Sequence, residues 1–528
     1  MALIISRVET DWDADQKEVV DKALENCELR WSDSLDSGIF DTDVVSPEAG
    51  VVKKISSVYV NLSDPEYEQK LSDKYDFVEI ASETADFEIP HNKRKGRIVV
   101  AGFGPAGMFA ALILAEHGYN PLVLERGSSY EDRTKFVKDF LENGILSEKS
   151  NHIYGEGGSK AFNDNMLSTT LNDPFTYYVL KKMIEFGAPK EILTQARPKI
   201  PQNIMKRVIQ ALRFKIIDCG GEVRFGSQLT SINADQNGIV KSVTVNAKYE
   251  EKCDRLILAF GQNASDMYSK LKNCGFTFAQ RPYIVGCRIE HLKKDVDLAV
   301  YGEVAASDKG VLPPAEYGLT ADIGGRKVFT YNCFGGGGVM PAQATKNAVS
   351  VDGSVRFNNS SNVTTSAICV SVAPSDFGSS DPLAGVAFQR DIEEKAFNLS
   401  NSHRVPATSV RGFLENVPTL SELPFTSTYP IGTAVSGFRE FFPPFVVDSI
   451  KQGIMAFAKQ LKCFNNGKAI LTAPESRIIS PVRFVRGENF AAEGIGRVFV
   501  CGECAGYTEG IMNSAVEGLQ AALALAQS

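Results

Sequence analysis

The sequence predicts an α/β protein, with a Rossmann-like parallel sheet, a mainly β insertion, and a small α+β module in front. Three observations predict it. A short apolar run, Ile98 to Ala101, enters a glycine turn and then a helix-forming run. A second apolar run into glycine, Arg255 to Gly261, and a third, Gly496 to Glu503, have the same strand-to-turn character. The long block between those last two lacks helix–strand alternation, as an insertion between strands of one sheet would.

In the leading segment, Leu3 to Val8 reads as a strand and Asp15 to Cys27 as an amphipathic helix with Val19, Val20, Ala23 and Leu24 on one side. Val51 to Asn61 and Tyr75 to Ile80 read as further strands, an order that suggests a ferredoxin-like module. The polar stretch Ile89 to Gly96, with Pro90 in it, marks a boundary. The expected division is 1–90 for the leading module, 95–274 with 471–528 for the nucleotide domain, and 275–470 for the inserted substrate or cap domain.

The nucleotide turn is Gly102-Phe103-Gly104-Pro105-Ala106-Gly107, followed by a helix to His117 and a second apolar run, Pro121 to Leu124, that ends at Glu125. Strand, tight turn, helix, strand and acid form the unit that binds a dinucleotide. Gly102 permits the turn, Gly104 removes a side chain that would block a pyrophosphate, and Gly107 lets the helix sit close to the strand. The amides at the helix start face the phosphates. Glu125 is placed to accept from ribose hydroxyls, and its charge disfavours a 2'-phosphate.

Arg126 follows directly, and a charged helix is expected from Tyr130 to Phe140. The loop from Tyr154 to Asn165 includes Gly157, Gly158 and Ser159, with amides enough to lie against a ring or phosphate; a plain surface turn is the alternative. Helices are expected at Phe175–Phe186 and Ile204–Cys219, and strands at Val223–Phe225, Leu229–Asn233, Ile239–Val245 and Ala247–Cys253. Ala259 and Gly261 close the second strand-to-glycine unit. Within the insertion, Gln389–Asn398 and Val446–Leu461 read as helices. At the end, Gly502, Glu503, Gly510 and Ile511 bring a strand, an acid, a turn and a helix start toward the same site.

Composition narrows the class. A net charge of -8 gives no reason to expect nucleic acid. No apolar run is long enough for a membrane span, and no signal peptide is visible. Ten cysteines in 528 residues suit buried thiols in a reducing cytoplasm better than a disulfide framework. No metal site is expected.

Together the turn at 102, the strand-glycine at 255–261 and the terminal Gly502-Glu503 resemble the flavoprotein plan of the glutathione reductase and fumarate reductase type. The motifs GEGGSKAFNDNMLSTT from Gly155, RPYIVGCRIEH from Arg281, GVLPPAEYGL from Gly310, LAGVAFQRDIEEKAF from Leu383, HRVPATSVRGFL from His403, SRIISPVRFVR from Ser476 and CGECAGYTEGIMNSAVEGLQAA from Cys501 are similar to those of a bacterial family of FAD-dependent proteins known as NAD(FAD)-utilizing dehydrogenases. The resemblance covers about 90–528 and implies bound FAD in a glutathione-reductase-type domain. It implies no particular substrate. The chain departs from the pattern at Tyr331-Asn332-Cys333-Phe334-Gly335, at SKAFND and at the CxxC of Cys501 and Cys504.

With FAD as the reactive centre, the candidate catalytic residues are Arg477 and Arg483, for clamping a carboxylate or an anionic reduced flavin, and Arg288 and His291, the histidine as a proton relay. Ion pairs between domains are the competing role for the arginines, and a structural role for the histidine. Cys501 and Cys504 read as an inert buried pair more readily than as a redox disulfide. No second GxGxxG offers a nicotinamide domain, so NAD(P)H docks transiently or a redox protein supplies electrons. The expected activity is hydride transfer between flavin N5 and a small organic substrate, that is, a dehydrogenase. Reduction of an unsaturated carboxylate is one alternative, and a non-catalytic, redox-sensing flavoprotein acting through a partner is another.

Overall fold

The computed structural model describes residues 2–48, 51–81, 87–89, 91, 96–162, 165–167, 173–193, 195, 197–307, 312–356 and 360–528. Pro90 and 92–95 of the boundary segment, 163–164 and 168–170 of the glycine-loop motif, and 310–311 of GVLPPAEYGL lie outside them.

A five-stranded parallel sheet organises the chain. Its order is Val498–Val500, Arg255–Leu258, Ile98–Ala101, Leu122–Leu124, Glu222–Arg224. Residues 498–500, from the end of the chain, thus pair with 256–258, and the block between them is an excursion out of this sheet. Alternation along Ile98–Ala101 explains why both faces are covered. Ile98 and Val100 enter a core with the helices Pro105–Glu116, Pro174–Glu185, Gln202–Asp218 and Ile511–Gln527. Val99 and Ala101 enter the opposite core, with Met267, Tyr268 and Leu271. The helix Pro105–Glu116 is buried from Ala106 to Ala115, so it has no polar stripe. Two glycines let backbones meet there. A Cβ on Gly107 would lie 2.0 Å from the Gly102 carbonyl oxygen, and one on Gly518 of the terminal helix 2.0 Å from that of Ala106.

The block 275–470 contributes most of a seven-stranded sheet, ordered Thr320–Ile323, Arg326–Gly335, Val363–Val372, Tyr283–Leu292, Ile470–Glu475, Val405–Ser409, Thr433–Val435. All pairs but the last are antiparallel. Tyr283–Leu292 and Val363–Val372 are buried on both faces, so they carry no apolar–polar alternation. The helix Pro444–Gln460 covers one face, and the helix expected at Gln389 begins earlier, at Ala384.

Ahead of both sheets, Ser34–Glu48, Val51–Leu62, Ala2–Asp11 and Val78–Ala81 form a four-stranded sheet, antiparallel at every pair. The helices Gln16–Asn26 and Pro65–Lys74 connect its strands. Ser34–Glu48 and Pro65–Lys74 are additions to the expected elements. The strand lies at an edge and is largely polar, and the helix buries only Glu68 and Leu71. Asp64 capping the amides of Glu66 and Tyr67, with Pro65 at the first helical position, was the signal for that helix.

Candidate functional site

A cavity of about 490 Å³ opens at the carboxyl ends of the parallel strands. It runs from Ala101, Leu124 and Ala259 to residues of the inserted block, among them Tyr331, Asn332 and Phe334 of the seven-stranded sheet and Ser354 of the two-stranded pair Gly338–Pro341 with Val351–Ser354. Every residue expected to contact the cofactor lines it except Gly107, whose role is the helix-to-turn approach given above.

The glycine turn is fixed by its own acid. Glu125 is buried and accepts from the amides of Phe103 at 2.9 Å and Gly127 at 2.8 Å. Its carboxylate therefore first joins two turns, with acceptor capacity left over. Arg126 donates to Asp266 at 3.1 Å and stacks on Tyr154 at 4.4 Å.

The loop carrying Gly157, Gly158 and Ser159 is held from behind by Arg133. Its guanidinium donates to the carbonyls of Asn151 at 2.6 Å, Glu156 at 2.7 Å and Gly158 at 2.8 Å. The Gly157 amide donates to the Phe103 carbonyl at 3.0 Å, tying this loop to the first turn. Glu156 accepts from the Tyr130 amide at 2.7 Å, and burial pushes its carboxyl up to about 7. Sequence reasoning missed both Arg133 and Glu156.

The terminal unit closes the cradle. The Gly510 amide donates to Glu503 at 3.1 Å, and the Gly502 amide to Glu517 at 2.9 Å. The helix Ile511–Gln527 starts at the cavity, as does Pro105–Glu116. Two helix starts at one cavity suit a diphosphate. A Cβ on Gly104 would meet nothing nearer than Gly158 Cα, at 3.8 Å. The fold would accept a side chain there, and that side chain would stand in the cleft. Phe109, Val179, Met183, Met205, Val208 and Leu212 make one flank of the cavity apolar. These features fit FAD.

None of the four residues expected to be catalytic lines the cavity. Arg477 is paired with Glu393 at 2.6 Å and donates to Asn263 Oδ1 at 2.9 Å. Arg483 stacks on Tyr507 at 4.5 Å and donates to the Gly506 carbonyl at 3.2 Å. Arg288 is buried against Glu475, with both bonds at 2.8 Å. His291 lies between Tyr317 and Phe464, where burial pulls its imidazole down to about 3. Arg477 and Arg288 find partners remote in sequence, while Arg483 is spent on Gly506 and Tyr507 of the terminal motif, neither of which lines the cleft. Cys501 and Cys504 are free, buried thiols. The cleft instead presents Tyr331, Asn332, Ser354, Glu509 and Asn513 at these positions. Tyr331 keeps 38% of its surface exposed, and the partial burial that remains, reinforced by Glu509, raises its phenol above the ordinary value. Glu509 is paired with Arg281 at 2.6 Å.

Comparison with known proteins identifies the cofactor. A family model described as "FAD-dependent protein, C-terminal domain-like" matches residues 282–478. A protein of Clostridium beijerinckii, described only as uncharacterized, is 35% identical over 431 residues, or 81% of this chain and 80% of its own. The chain belongs to this family of FAD-dependent proteins. FAD is its cofactor. Among solved structures, CtdE in complex with FAD aligns at 12% identity and a TM-score of 0.33 over 81% of this chain and 83% of its own. The 3-ketosteroid-delta4-(5alpha)-dehydrogenase from Rhodococcus jostii RHA1 aligns at 12% identity and 0.34 over 85% and 100%. At these scores the alignments identify neither reaction nor substrate. Among the described residues, no helix is long and apolar enough to cross a membrane, and no group of three metal-ligating side chains is assembled.

Proposed function

We propose that this FAD-dependent protein is an oxidoreductase acting on a small organic substrate held between the cofactor-binding part, 95–274 with 471–528, and the inserted part, 275–470. On this reading 1–90 is a separate ferredoxin-like module. Bound FAD supplies two-electron chemistry by exchanging a hydride with the substrate. The observation that carries the reading is the continuity of one cavity. It holds the glycine turn and two helix starts at one end, and polar side chains of a second sheet at the other. A flavoprotein using FAD only as structure has no need of Tyr331, Asn332 and Ser354 from the inserted part.

The chain's residues divide the work. Gly102, Gly104, Pro105, Ala106, Glu125, Gly157, Gly158, Ser159, Glu503, Gly510 and Ile511 would hold the cofactor. Tyr331, Asn332 and Ser354 would orient the substrate by hydrogen bonds. Among the described residues lining the cavity, the one cation is Arg126, which Asp266 and Tyr154 already engage. That favours an uncharged substrate over a carboxylate, for which no arginine clamp is at hand.

The test is anaerobic. The purified holoprotein is titrated with NADH and with NADPH, and the reduced protein is mixed with uncharged carbonyl and enone acceptors. Reduction by NADH or NADPH, followed by rapid reoxidation by one such acceptor, is the expected result. Flavin that stays bound but exchanges electrons with no organic acceptor would return the protein to a redox-sensing role.

A further inference from the structure

The second-sheet wall of the cavity stands at an irregularity in the strand pairing. Arg326–Gly335 runs in register with Val363–Val372 as far as Tyr331 opposite Ala367, then resumes at Phe334 opposite Thr365. The extra residue makes a bulge, a device that re-aims side chains. Asn332 within it has φ 48°, left-handed backbone that asparagine adopts more readily than most residues. Its carbonyl accepts from Arg288 Nη1 at 3.1 Å.

Arg288 itself has little freedom. Its Nε and Nη2 are held by Glu475, and neither side chain reaches solvent. Across the gap, residue 353 is glycine where a Cβ would lie 2.1 Å from Arg288 Nη1. The guanidinium thus takes the space beside two cleft-lining stretches, Tyr331–Asn332 and Gly353–Ser354. A buried ion pair is weak evidence for stability in itself. The third donor, spent on a left-handed carbonyl at the cleft wall, is what indicates a role.

We infer that Arg288, anchored by Glu475, is a positioning residue that holds the Asn332 bulge and so sets Tyr331 and Asn332 as the substrate-contacting wall. The substrate part of this inference rests on the function proposed above; the positioning part does not.

The test uses holoprotein labelled with 3-fluorotyrosine. The Tyr331 signal in the fluorine NMR spectrum is assigned by its loss in Tyr331→Phe and followed through an alkaline titration. Two variants are compared. Arg288→Gln with Glu475→Gln leaves no lone buried charge. Arg288→Lys keeps a cation for Glu475 but has no second nitrogen for Asn332. Both are expected to shift the Tyr331 signal, and Arg288→Lys, which keeps both buried charges, is expected also to lower its titration midpoint by about one unit, toward an ordinary phenol, while bound FAD per chain stays unchanged. If the double variant does not fold, Arg288→Lys decides. A folded variant with the Tyr331 signal and midpoint of the wild type overturns the positioning role and leaves Arg288 a core tie. Failure of the proposed function would appear separately, as holoprotein that exchanges electrons with no organic acceptor.

Discussion

Replacing Arg133 by Met is expected to loosen the glycine loop before it unfolds the sheet. The wild-type guanidinium supplies donors to three carbonyls, those of Asn151, Glu156 and Gly158, from a fully buried side chain. It also lies 5.0 Å from the Phe162 ring. Methionine keeps much of the length and the apolar stem, so the loss falls mainly on the hydrogen bonds. A buried acceptor left unpaired costs roughly 1–3 kcal/mol; the Gly158 carbonyl keeps the Ala161 amide at 3.4 Å, so the other two sum to roughly 2–6 kcal/mol if the loop stays put. It will not stay put, because opening lets water reach the carbonyls. The cost then appears as lost order in the cradle, roughly 2–4 kcal/mol of cofactor affinity, or roughly 30- to 700-fold in Kd. Burial draws the Arg133 guanidinium down only to about 10, so the bonds are charge-assisted at neutral pH. The assay is titration of flavin-stripped protein with FAD, followed by flavin fluorescence, alongside thermal unfolding of the same apoprotein. A Kd within about twofold of wild type, with an unchanged apoprotein Tm, would mean that the three carbonyls find other donors and that Arg133 is not the staple of this loop.

Gly104→Val and Gly107→Ala are expected to separate binding from folding. The first leaves the apoprotein Tm unchanged and abolishes FAD retention, because its side chain enters the cleft. The second overlaps the Gly102 carbonyl and costs about 1–3 kcal/mol of stability in urea unfolding. Burial keeps His152 and His291 neutral down to about 3, against about 6.5 in the unfolded chain. The unfolded state therefore takes up protons first, and stability is full above about pH 6.5 and falls as pH drops toward 3. Each histidine accounts for roughly 2 kcal/mol of loss by about pH 5, and His291→Phe should remove its share in urea melts at the two pH values. Cys501 and Cys504 are expected to resist iodoacetamide in the native protein near about pH 8, since burial raises both thiols, Cys504 to about 12. Rapid labelling of either, read by mass spectrometry, would show an accessible pair.

The parts of the site legible in the sequence are those whose logic is local. Ile98 to Glu125 spans one strand–turn–helix–strand unit, so the need for small residues and a terminal acid is written in consecutive positions. The terminal helix was readable for the same reason, from small residues that let it meet Ala106 through Gly518. Where strands are buried on both faces, as in Tyr283–Leu292 and Val363–Val372, the period-two signal vanishes and a strand reads as an apolar run. The second-sheet wall of the cavity was illegible because a bulge belongs to a pair of strands. Nothing in the order Tyr331-Asn332-Cys333-Phe334 says which residue will be extra until Val363–Val372 lies beside it.

The arginines show the same boundary from the other side. Arg288 stood out as a charge in an apolar run, but its role did not, because Glu475 and Asn332 are distant in the chain. Arg133 did not stand out at all, since the helix around it is charged on its exposed face. Each does similar work by a similar means. A guanidinium holds five N–H donors in a rigid fork, so one buried side chain can fix two or three acceptors from unrelated positions. Arg133 fixes main-chain carbonyls behind the loop at Gly157, and Arg288 fixes the carbonyl at the bulge as well as Glu475. A glycine motif must be spelled out along the backbone that bends, whereas a clamp need only be present somewhere within reach of its side chain. The cradle is therefore readable from sequence, and the two residues that hold its shape at either end emerge only from the fold.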